Sequence, residues 1–222
     1  MRDAVESVLS IERVTHDVRR YMVERPAGYS FQPGQATELS IDDPRWIEEK
    51  RPFTFTGLVG EPFLEFTIKS YSERDGVTRA LENLKPGATL IVREAWGSIL
   101  FEKPGLFVAA GAGVTPFIAI FKQLRNSGRV AGNKLLLANK KAEDVIDEGF
   151  WRSLLGDNFH SKLSREKATG HDFGRIGSAD IAALLDRQKD QVYLCGPDAF
   201  VDSLRGLLAE LGLSEQRITR EL

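Results

Sequence analysis

Arg51-Pro52-Phe53-Thr54 brings together the side chains that a flat, phosphorylated ligand requires. A guanidinium pairs with a phosphate, an aromatic ring stacks on a ligand ring, and a hydroxyl hydrogen-bonds to a ring heteroatom. An ordinary strand is the alternative, in which an exposed Arg51 flanks a Phe53 that packs inward. The segment alone leaves both interpretations open.

Gly76-Val77-Thr78 lies where a loop turns into a helix predicted over residues 77–84. The first N–H groups of a helix have no acceptor within it, and with the helix dipole they attract a phosphate. We therefore expect a second phosphate contact here. The alternative is an ordinary helix cap made by Asp75 or Thr78.

A glycine-rich turn, Gly111-Ala112-Gly113-Val114-Thr115-Pro116, follows a predicted buried strand and opens a helix. This is where the backbone approaches the pyrophosphate of a dinucleotide in nucleotide-binding α/β folds. Pro116 stands where the usual fingerprint has a third glycine, so the match is partial. A tight strand-to-helix turn without a ligand is the alternative.

Cys195-Gly196-Pro197 ends a predicted strand, Gln191–Cys195. Ligands of open α/β sheets lie at the carboxyl ends of the strands, which makes this segment a further candidate contact. The alternative is a buried, inert cysteine ahead of a helix that begins at Pro197 or Asp198.

Composition limits the other kinds of site. The net charge of −2 gives no excess of positive charge for nucleic acid or an anionic membrane. A single cysteine excludes an internal disulfide, a four-cysteine zinc site and a self-held iron–sulfur cluster. The three scattered histidines, His16, His160 and His171, make a metal site unexpected.

Two features of the sequence bear on location. The N-terminus lacks the basic start and apolar run of a signal peptide, and the apolar stretch of residues 106–121 is interrupted by glycine and proline. We therefore expect no membrane span and a cytoplasmic location, because a single cysteine that stays reduced fits a reducing compartment.

The first half of the chain reads as short strands separated by Pro- and Gly-containing turns. The predicted strands cover residues 5–15, 18–24, 36–41, 53–58, 63–70 and 89–93, and one helix covers residues 77–84. Because closing a sheet removes its exposed edges, we expect a six-stranded antiparallel Greek-key β-barrel with one helix, over residues 1–102.

The second half, residues 103–222, alternates strand and helix patterns. The predicted strands cover residues 106–110, 134–138, 159–163, 191–195 and 217–221, and the helices cover residues 116–125, 143–155, 179–188 and 198–211. Such alternation predicts a five-stranded parallel sheet covered by helices, a nucleotide-binding α/β domain.

The four segments, in this order and in these two halves, resemble the ferredoxin–NADP reductase superfamily, with its flavodoxin reductase and flavin reductase-like members. The resemblance covers essentially the whole chain and depends on the order of the segments.

The resemblance implies a flavin bound by the first half. Arg51, with Pro52 beside it, would contact the flavin phosphate, Phe53 would lie along the ring system, and Thr54 would hydrogen-bond near its N5 atom. Phe53 replaces a tyrosine of the family pattern, which keeps the stacking and loses a hydroxyl. Further flavin contacts are expected from Thr67, Ile68, Gly76, Val77 and Thr78.

The resemblance also implies a nicotinamide dinucleotide bound by the second half. The pyrophosphate loop would comprise Gly111, Gly113, Val114, Thr115 and Pro116. Cys195 would lie beside the nicotinamide C4 atom, with Gly196 and Pro197 next to it.

The basic residues after two predicted strands favour NADPH over NADH. Lys140 and Lys141 follow the second strand of the α/β half, and Ser164 and Arg165 match the family's pair for the 2′-phosphate. Glu166 adjoins this site, and basic residues of solvated loops are the alternative.

At the C-terminus, Glu221 is the candidate for an acid of the family, but no aromatic residue follows it to cover the flavin. A frayed terminal strand is the alternative. The resemblance thus places three residues along the path of hydride transfer from the nicotinamide to the flavin: Thr54, Cys195 and Glu221.

The implied activity is a flavoprotein oxidoreductase, in which a hydride passes from NAD(P)H to bound FAD and electrons pass to a separate acceptor. FMN is the alternative to FAD, and the acceptor would be ferredoxin, flavodoxin or an oxygenase component. The protein is expected to be a monomer. The alternative functions are a flavin reductase that uses free flavin as a substrate and a non-catalytic electron-transfer or redox-sensing subunit.

Overall fold

The computed structural model describes residues 3–71, 76–97 and 99–220. The chain divides into two compact units. One comprises Met1–Gly97 and Thr115–Gln123, and the other comprises Ser98–Val114 and Leu124–Leu222. The predicted domain boundary at residue 102 stays a prediction, because compactness does not show which segments fold and bind by themselves.

The first unit contains one antiparallel sheet of six strands and a short helix, as predicted. The strands are β1 (Ala4–Arg13), β2 (Val18–Glu24), β3 (Ala36–Ile41), β4 (Arg51–Thr54), β5 (Phe63–Lys69) and β6 (Thr89–Trp96), and the helix is α1 (Val77–Glu82). Their order in the sheet is β4-β3-β6-β1-β2-β5.

The two end strands of this sheet meet just beyond β4. Phe55 forms an isolated antiparallel bridge with Phe66 of β5, and the Thr56 N–H donates to the carbonyl oxygen of Glu65 over 2.8 Å. These contacts close the sheet into a barrel, so neither end strand presents a long unpaired edge.

Aromatic and aliphatic side chains fill the barrel because they alternate along the strands with outward-facing residues. Phe55 stacks on Phe31 with ring centroids 4.1 Å apart. The core also contains Val8, Tyr21, Val23, Leu39, Leu64, Phe66, Ile68 and Leu90. Strand β5 is buried on both faces, so Glu65 and Thr67, which alternate with the core residues of this strand, are buried as well.

Strand β4 begins two residues earlier than predicted and ends at Thr54. The predicted continuation to residue 58 is therefore wrong. Gly57 lies in a tight passage, because a Cβ atom there would stand 2.8 Å from the Glu61 carboxylate and 2.9 Å from the Glu65 Cβ. The chain turns here.

The second unit contains a sheet in which all the pairs between its described strands are parallel. The strands are β7 (Gly105–Ala110), β8 (Lys134–Asn139), β9 (Phe159–Leu163), β10 (Asp172–Phe173), β11 (Gln191–Cys195) and β12 (Ile218–Arg220). Their order is β10-β9-β8-β7-β11-β12. The sheet thus has six strands, one more than predicted, because a two-residue β10 pairs with the end of β9.

The remaining helices are α2 (Thr115–Asn126), α3 (Glu148–Leu155), α4 (Ser178–Leu184) and α5 (Asp198–Glu210). The prediction of one helix over residues 143–155 is wrong in its first part. A 3-10 turn covers Ala142–Asp144, and Asp147 has a left-handed φ of 54° immediately before α3. None of the helices in the described ranges is long and apolar enough to cross a membrane.

Stacked rings anchor the start of the second sheet. Phe107 and Tyr193 lie with ring centroids 4.2 Å apart on neighbouring strands. The Tyr193 hydroxyl accepts from the Glu102 and Lys103 N–H groups and donates to the Lys103 carbonyl. Burial raises the pKa of Tyr193, so the hydroxyl keeps the proton it donates.

Replacing Gly105 by alanine tests the packing of this sheet. The new Cβ would lie 1.9 Å from the Gln191 carbonyl oxygen, so β7 and β11 cannot keep their pairing. We expect Gly105→Ala to lower the free energy of unfolding by about 3 kcal/mol or more, measured by urea denaturation.

Gly206→Ala is the matched control for this substitution. Gly206 lies within α5, and no atom would stand within 4 Å of a Cβ added there, so alanine should raise stability by about 0.5–1 kcal/mol. Equal stability of the two variants would contradict the close contact between Gly105 and Gln191.

Candidate functional site

The first candidate segment forms β4, at an end of the first sheet. Arg51 and Pro52 are exposed, and Pro52 is tolerated on an end strand because it has no N–H to donate. Phe53 and Thr54 are half-buried, and Phe53 packs against the barrel core. An accessible cation, a partly covered ring and a hydroxyl therefore follow one another on a short strand.

Arg51 is locally paired. Its Nη2 atom lies 2.9 Å from a Glu49 carboxylate oxygen, and its Nη1 atom donates to the Lys50 carbonyl over 2.7 Å. About half of each side chain is exposed, which makes this a weak surface pair. A phosphate could replace Glu49 at the guanidinium at little cost.

The hydroxyls of Thr54 and Thr115 lie 3.0 Å apart, within hydrogen-bond distance. The two residues come from different predicted segments, 61 positions apart in the chain, and both belong to the first compact unit. Thr115 begins α2 and is 8% exposed. The residue expected at the flavin N5 thus touches the residue expected at the dinucleotide.

Gly76 precedes α1 in an extended conformation, and no side chain among the described residues caps the helix there. Thr78 therefore does not form the alternative cap, and Asp75 lies outside the described residues. Val77 is buried, whereas no atom of the described residues lies within 4 Å of a Cβ placed at Gly76. No described side chain therefore blocks a ligand from this side of Gly76.

Thr67 and Ile68 have buried side chains on β5. Ile68 packs in the barrel core, and the Thr67 hydroxyl lies 3.1 Å from that of Thr56. A ligand along this strand would therefore meet the backbone rather than these side chains. Their role in flavin binding stays a prediction.

The two glycines of the glycine-rich turn, Gly111 and Gly113, have different structural roles. Gly111 has a φ of +53° and open space around it, whereas a Cβ at Gly113 would lie 2.5 Å from the Cys195 carbonyl oxygen. Gly113 is therefore required by the close approach of two protein segments. Val114 completes a 3-10 turn before Thr115 and Pro116 begin α2.

Cys195 ends β11 opposite Ala109 and is 4% exposed. Gly196 follows with a φ of +157°, and a Cβ there would lie 2.9 Å from the Phe200 ring. Pro197 precedes the first residue of α5. The buried position fits the interpretation of an inert cysteine, and a role beside nicotinamide stays a prediction.

The loops that follow β8 and β9 are tied together at the carboxyl end of the sheet. The Ser164 N–H donates to the Asn139 carbonyl, and the Arg165 N–H donates to the Lys140 carbonyl, over 3.0 and 2.9 Å. The Glu166 carboxylate accepts from the Ala142 N–H over 2.8 Å. Glu166 is thus engaged in holding the loop.

These loops present exposed basic side chains from Lys140, Lys141 and Arg165. A hydrogen bond to Glu143, together with its negative charge, raises the pKa of Lys141. Three basic side chains on adjoining loops are the kind of group that binds a dianionic phosphate.

Asn139 is a polar residue whose importance the sequence did not reveal. Its side-chain Nδ2 atom is buried and has no hydrogen-bond partner in the described part of the chain. A buried amide without an acceptor costs free energy, so an acceptor from a ligand would be favourable here. Its position directly at the end of a buried strand was the available signal.

Strand β12 pairs in parallel with β11, from Ile218 opposite Val192 to Arg220 opposite Leu194. The described part of the C-terminal segment is therefore a paired strand and not a frayed one. Glu221, the expected acid, lies outside the described residues.

The residues present fit the two expected groups. The open backbone at Gly76 and the displaceable pair at Arg51 suit a phosphorylated flat ring. The open space at Gly111 and the buried amide of Asn139 suit a dinucleotide.

Residues 107–206 match the family model of the oxidoreductase NAD-binding domain. The whole chain has the fold of a ferredoxin–NADP reductase from Neisseria gonorrhoeae, solved with bound FAD and NADP. The TM-score is 0.88, the sequences are 18% identical, and the likeness covers 100% of this chain and 98% of that one. The fold that the resemblance implies is thereby confirmed.

Curated relatives are similar along most of this chain. The ferredoxin–NAD(P)+ reductase component of the naphthalene 1,2-dioxygenase system of Pseudomonas putida is 25% identical over 96% of this chain and 66% of its own length. The reductase component of propane 2-monooxygenase from Rhodococcus jostii is 26% identical over 98% of this chain and 63% of its own. The chain spans slightly less than two thirds of the length of these relatives.

Gly113→Ala tests the close approach of the two loops. Because the new Cβ would collide with the Cys195 carbonyl, we expect a loss of about 2 kcal/mol in the free energy of unfolding. The displaced loop should also expose the only thiol, so that Cys195 reacts at least ~10-fold faster with a disulfide reagent, in proportion to its opening.

The control is Gly149→Ala within α3, where nothing lies within 4 Å of the new methyl group. Its thiol should react at the original rate. Unchanged thiol reactivity in Gly113→Ala would show that the contact between Gly113 and the Cys195 backbone does not control access to the thiol.

Proposed function

We propose that this chain, which has the fold of the ferredoxin–NADP reductase superfamily, is a flavoprotein oxidoreductase. It would take a hydride from NAD(P)H onto bound FAD and deliver electrons to a separate acceptor. The observation that carries the proposal is the 3.0 Å contact between Thr54 and Thr115, because it joins the segment suited to a flavin to the segment suited to a dinucleotide.

The flavin would supply the chemistry, since it accepts two electrons with a proton and releases them singly or in pairs. The protein would supply binding and orientation. Arg51 would exchange Glu49 for the flavin phosphate, and the backbone N–H groups of Gly76, Val77 and Thr78 would donate to that phosphate. Phe53, partly supported by the barrel core, would lie along the ring.

The hydroxyls of Thr54 and Thr115 would form a hydrogen-bonded pair at the reacting centre. A hydroxyl donates one hydrogen bond and accepts others, so Thr115 can donate to the Thr54 oxygen while Thr54 directs its own proton toward a ring nitrogen. The near-complete burial of Thr115 would restrict water at this point.

Cys195 would act by position. Its backbone lies against Gly113, so the loop beneath the dinucleotide and the end of β11 move together. Gly196 and Pro197 then lead directly into α5. We propose that this arrangement holds the Cys195 side chain beside the nicotinamide ring, and that Glu221 lies on the same path.

NADPH is the proposed reductant. The exposed cations Lys140, Lys141 and Arg165 support it, as does the engagement of Glu166 with the backbone of Ala142. Ser164 would donate its hydroxyl to the 2′-phosphate beside Arg165. Asn139 would complete the site by donating its buried amide to the dinucleotide.

A ferredoxin or an oxygenase component is the proposed acceptor. The relatives from Pseudomonas putida and Rhodococcus jostii are named as reductase components of oxygenase systems, which supports this choice. We further propose that residues 1–102 carry the flavin and residues 103–222 the dinucleotide, and that the protein works as a monomer in the cytoplasm.

Arg51→Ala tests the flavin site. Loss of a charge-assisted contact with the phosphate should weaken FAD binding at least ~10-fold, about 1.4 kcal/mol, as measured by quenching of FAD fluorescence. Arg45→Ala removes another exposed arginine, from the segment between β3 and β4, and should leave the affinity within about twofold. Equal affinities of both variants would remove Arg51 from the flavin site.

Oxidation of NADPH with ferricyanide as the acceptor tests the activity itself. The flavin-loaded protein should turn over in this assay and retain its flavin on gel filtration. A protein that binds FAD but shows no turnover would be a sensor, and one that releases the flavin in each cycle would be a flavin reductase.

Arg165→Ala tests the choice of NADPH. Removing a cation from the 2′-phosphate should raise the KM for NADPH about 10-fold while leaving that for NADH within about twofold. Lys167→Ala, an exposed cation two residues further along the loop, serves as the control. A parallel change for both dinucleotides would contradict the proposed role.

A further inference from the structure

Glu65 is a carboxylate inside the first compact unit, with a side chain only 6% exposed. The Thr56 hydroxyl donates to it over 2.6 Å, and Lys122 Nζ lies 2.9 and 3.1 Å from its two oxygens. The Arg20 Nε atom stands 3.5 Å from one of them. One buried anion therefore holds a hydroxyl and two cations.

Stability alone does not explain such a cluster. Removing charges from water costs several kcal/mol per ion, and apolar side chains of the same volume often replace a buried ion pair without loss of stability. What an ion pair does provide is a defined position, since both oxygens of Glu65 point at Lys122. We therefore consider what Lys122 positions.

Lys122 lies on α2, seven residues after Thr115. Seven residues correspond to about two turns of helix, so the two side chains project from one face of α2. Thr115 contacts Thr54 on β4, and Lys122 contacts Glu65 on β5. The helix is thus attached to the barrel at two points along one face.

The two attachment points are themselves connected. The Thr56 N–H bonds to the Glu65 carbonyl, and the Thr56 hydroxyl bonds to the Glu65 carboxylate. Hydrogen bonds therefore lead from Lys122 through Glu65 to Thr56, and Thr56 is two residues beyond Thr54, just past the end of β4. A displacement of Lys122 would therefore also shift Thr54.

We propose that Lys122 and Glu65 are positioning residues for the reaction, which fix α2 along its axis so that Thr115 meets Thr54. This inference rests on the proposed function, in which both threonines lie at the reacting centre. A misplacement of about 1 Å at such a centre can lower a rate by about 10²-fold, so the pair has a large effect without touching a ligand.

Lys122→Met removes the charge and keeps most of the apolar stem. We expect the rate of flavin reduction by NADPH, followed by stopped flow, to fall at least ~10-fold, while the affinity for FAD stays within about twofold. Lys122→Arg keeps a cation and should recover the rate to within about threefold.

Lys134→Met is the matched control. Lys134 also pairs with a carboxylate that is 8% exposed, that of Asp190, over 3.2 Å, and both belong to the second unit. Its loss should lower stability to a similar extent and leave the reduction rate within about twofold. Equal slowing by Lys122→Met and Lys134→Met would overturn the proposal.

Hydrogen exchange of the ligand-free protein provides a readout that is independent of activity. Amides of residues 115–123 should exchange faster in Lys122→Met than in Lys134→Met, because the helix loses one attachment. Unchanged exchange would overturn the proposal. If the unsubstituted protein is not reduced by NADPH, the proposed function fails, and the exchange measurement still tests the attachment of α2.

Glu65→Gln is a second variant, which keeps the volume and an acceptor for Thr56. It should slow reduction as Lys122→Met does, since it removes the other half of the same pair. Folded Glu65→Gln and Lys122→Met proteins that both reduce flavin at the original rate would refute the positioning role.

Discussion

The hydrogen bond between the hydroxyls of Thr54 and Thr115 is the interaction on which the functional interpretation depends. A hydroxyl pair is weak by itself, at about 1 kcal/mol, so it cannot hold two segments together. The surrounding structure must therefore position both residues. The two hydroxyls come within hydrogen-bond distance only when the strand and the helix are correctly placed. Thr54 is placed by its strand and Thr115 by its helix.

The placement of Thr54 comes from the closure of the barrel. Strand β4 has a single neighbour, β3, and the bridge of Phe55 to Phe66 fixes its end. Phe55 is fully buried and stacks on Phe31, so the strand cannot slide without breaking the core. Placement of Thr115 depends on the turn before α2, where Gly113 packs against the Cys195 backbone.

Much of the fold could be predicted from the sequence, because periodicity is a local property. Tyr21 and Val23 alternate with outward-facing residues on β2, and the apolar run of β7 indicates a strand buried on both faces. Strand order was not accessible in this way. β10 was missed because two residues, Asp172 and Phe173, carry no period at all.

The predicted helix over residues 143–155 is wrong in its first part for a related reason. Val145 and Ile146 are buried and fit a helical pattern, but the chain takes a left-handed turn at Asp147 before α3 begins. A single residue with a positive φ is decided by tertiary packing, and an aspartate tolerates that conformation.

The candidate site was predictable in its segments and not in its contacts. Glycines at positions 111 and 113 were expected to serve one ligand, yet Gly113 is required by the backbone of Cys195. Asn139 and Glu65 were missed, because an amide or a carboxylate reveals its importance only when the burial of its side chain is known. Such residues belong to pairs that are distant in the chain.

Anaerobic titration of the FAD-loaded protein with NADPH measures whether the dinucleotide can reduce the bound flavin. If Thr54 and Thr115 mark the place where the two cofactors meet, one equivalent of NADPH should bleach the yellow flavin absorbance completely. A flavin that stays oxidised while both FAD and NADPH are shown to be bound would contradict the account.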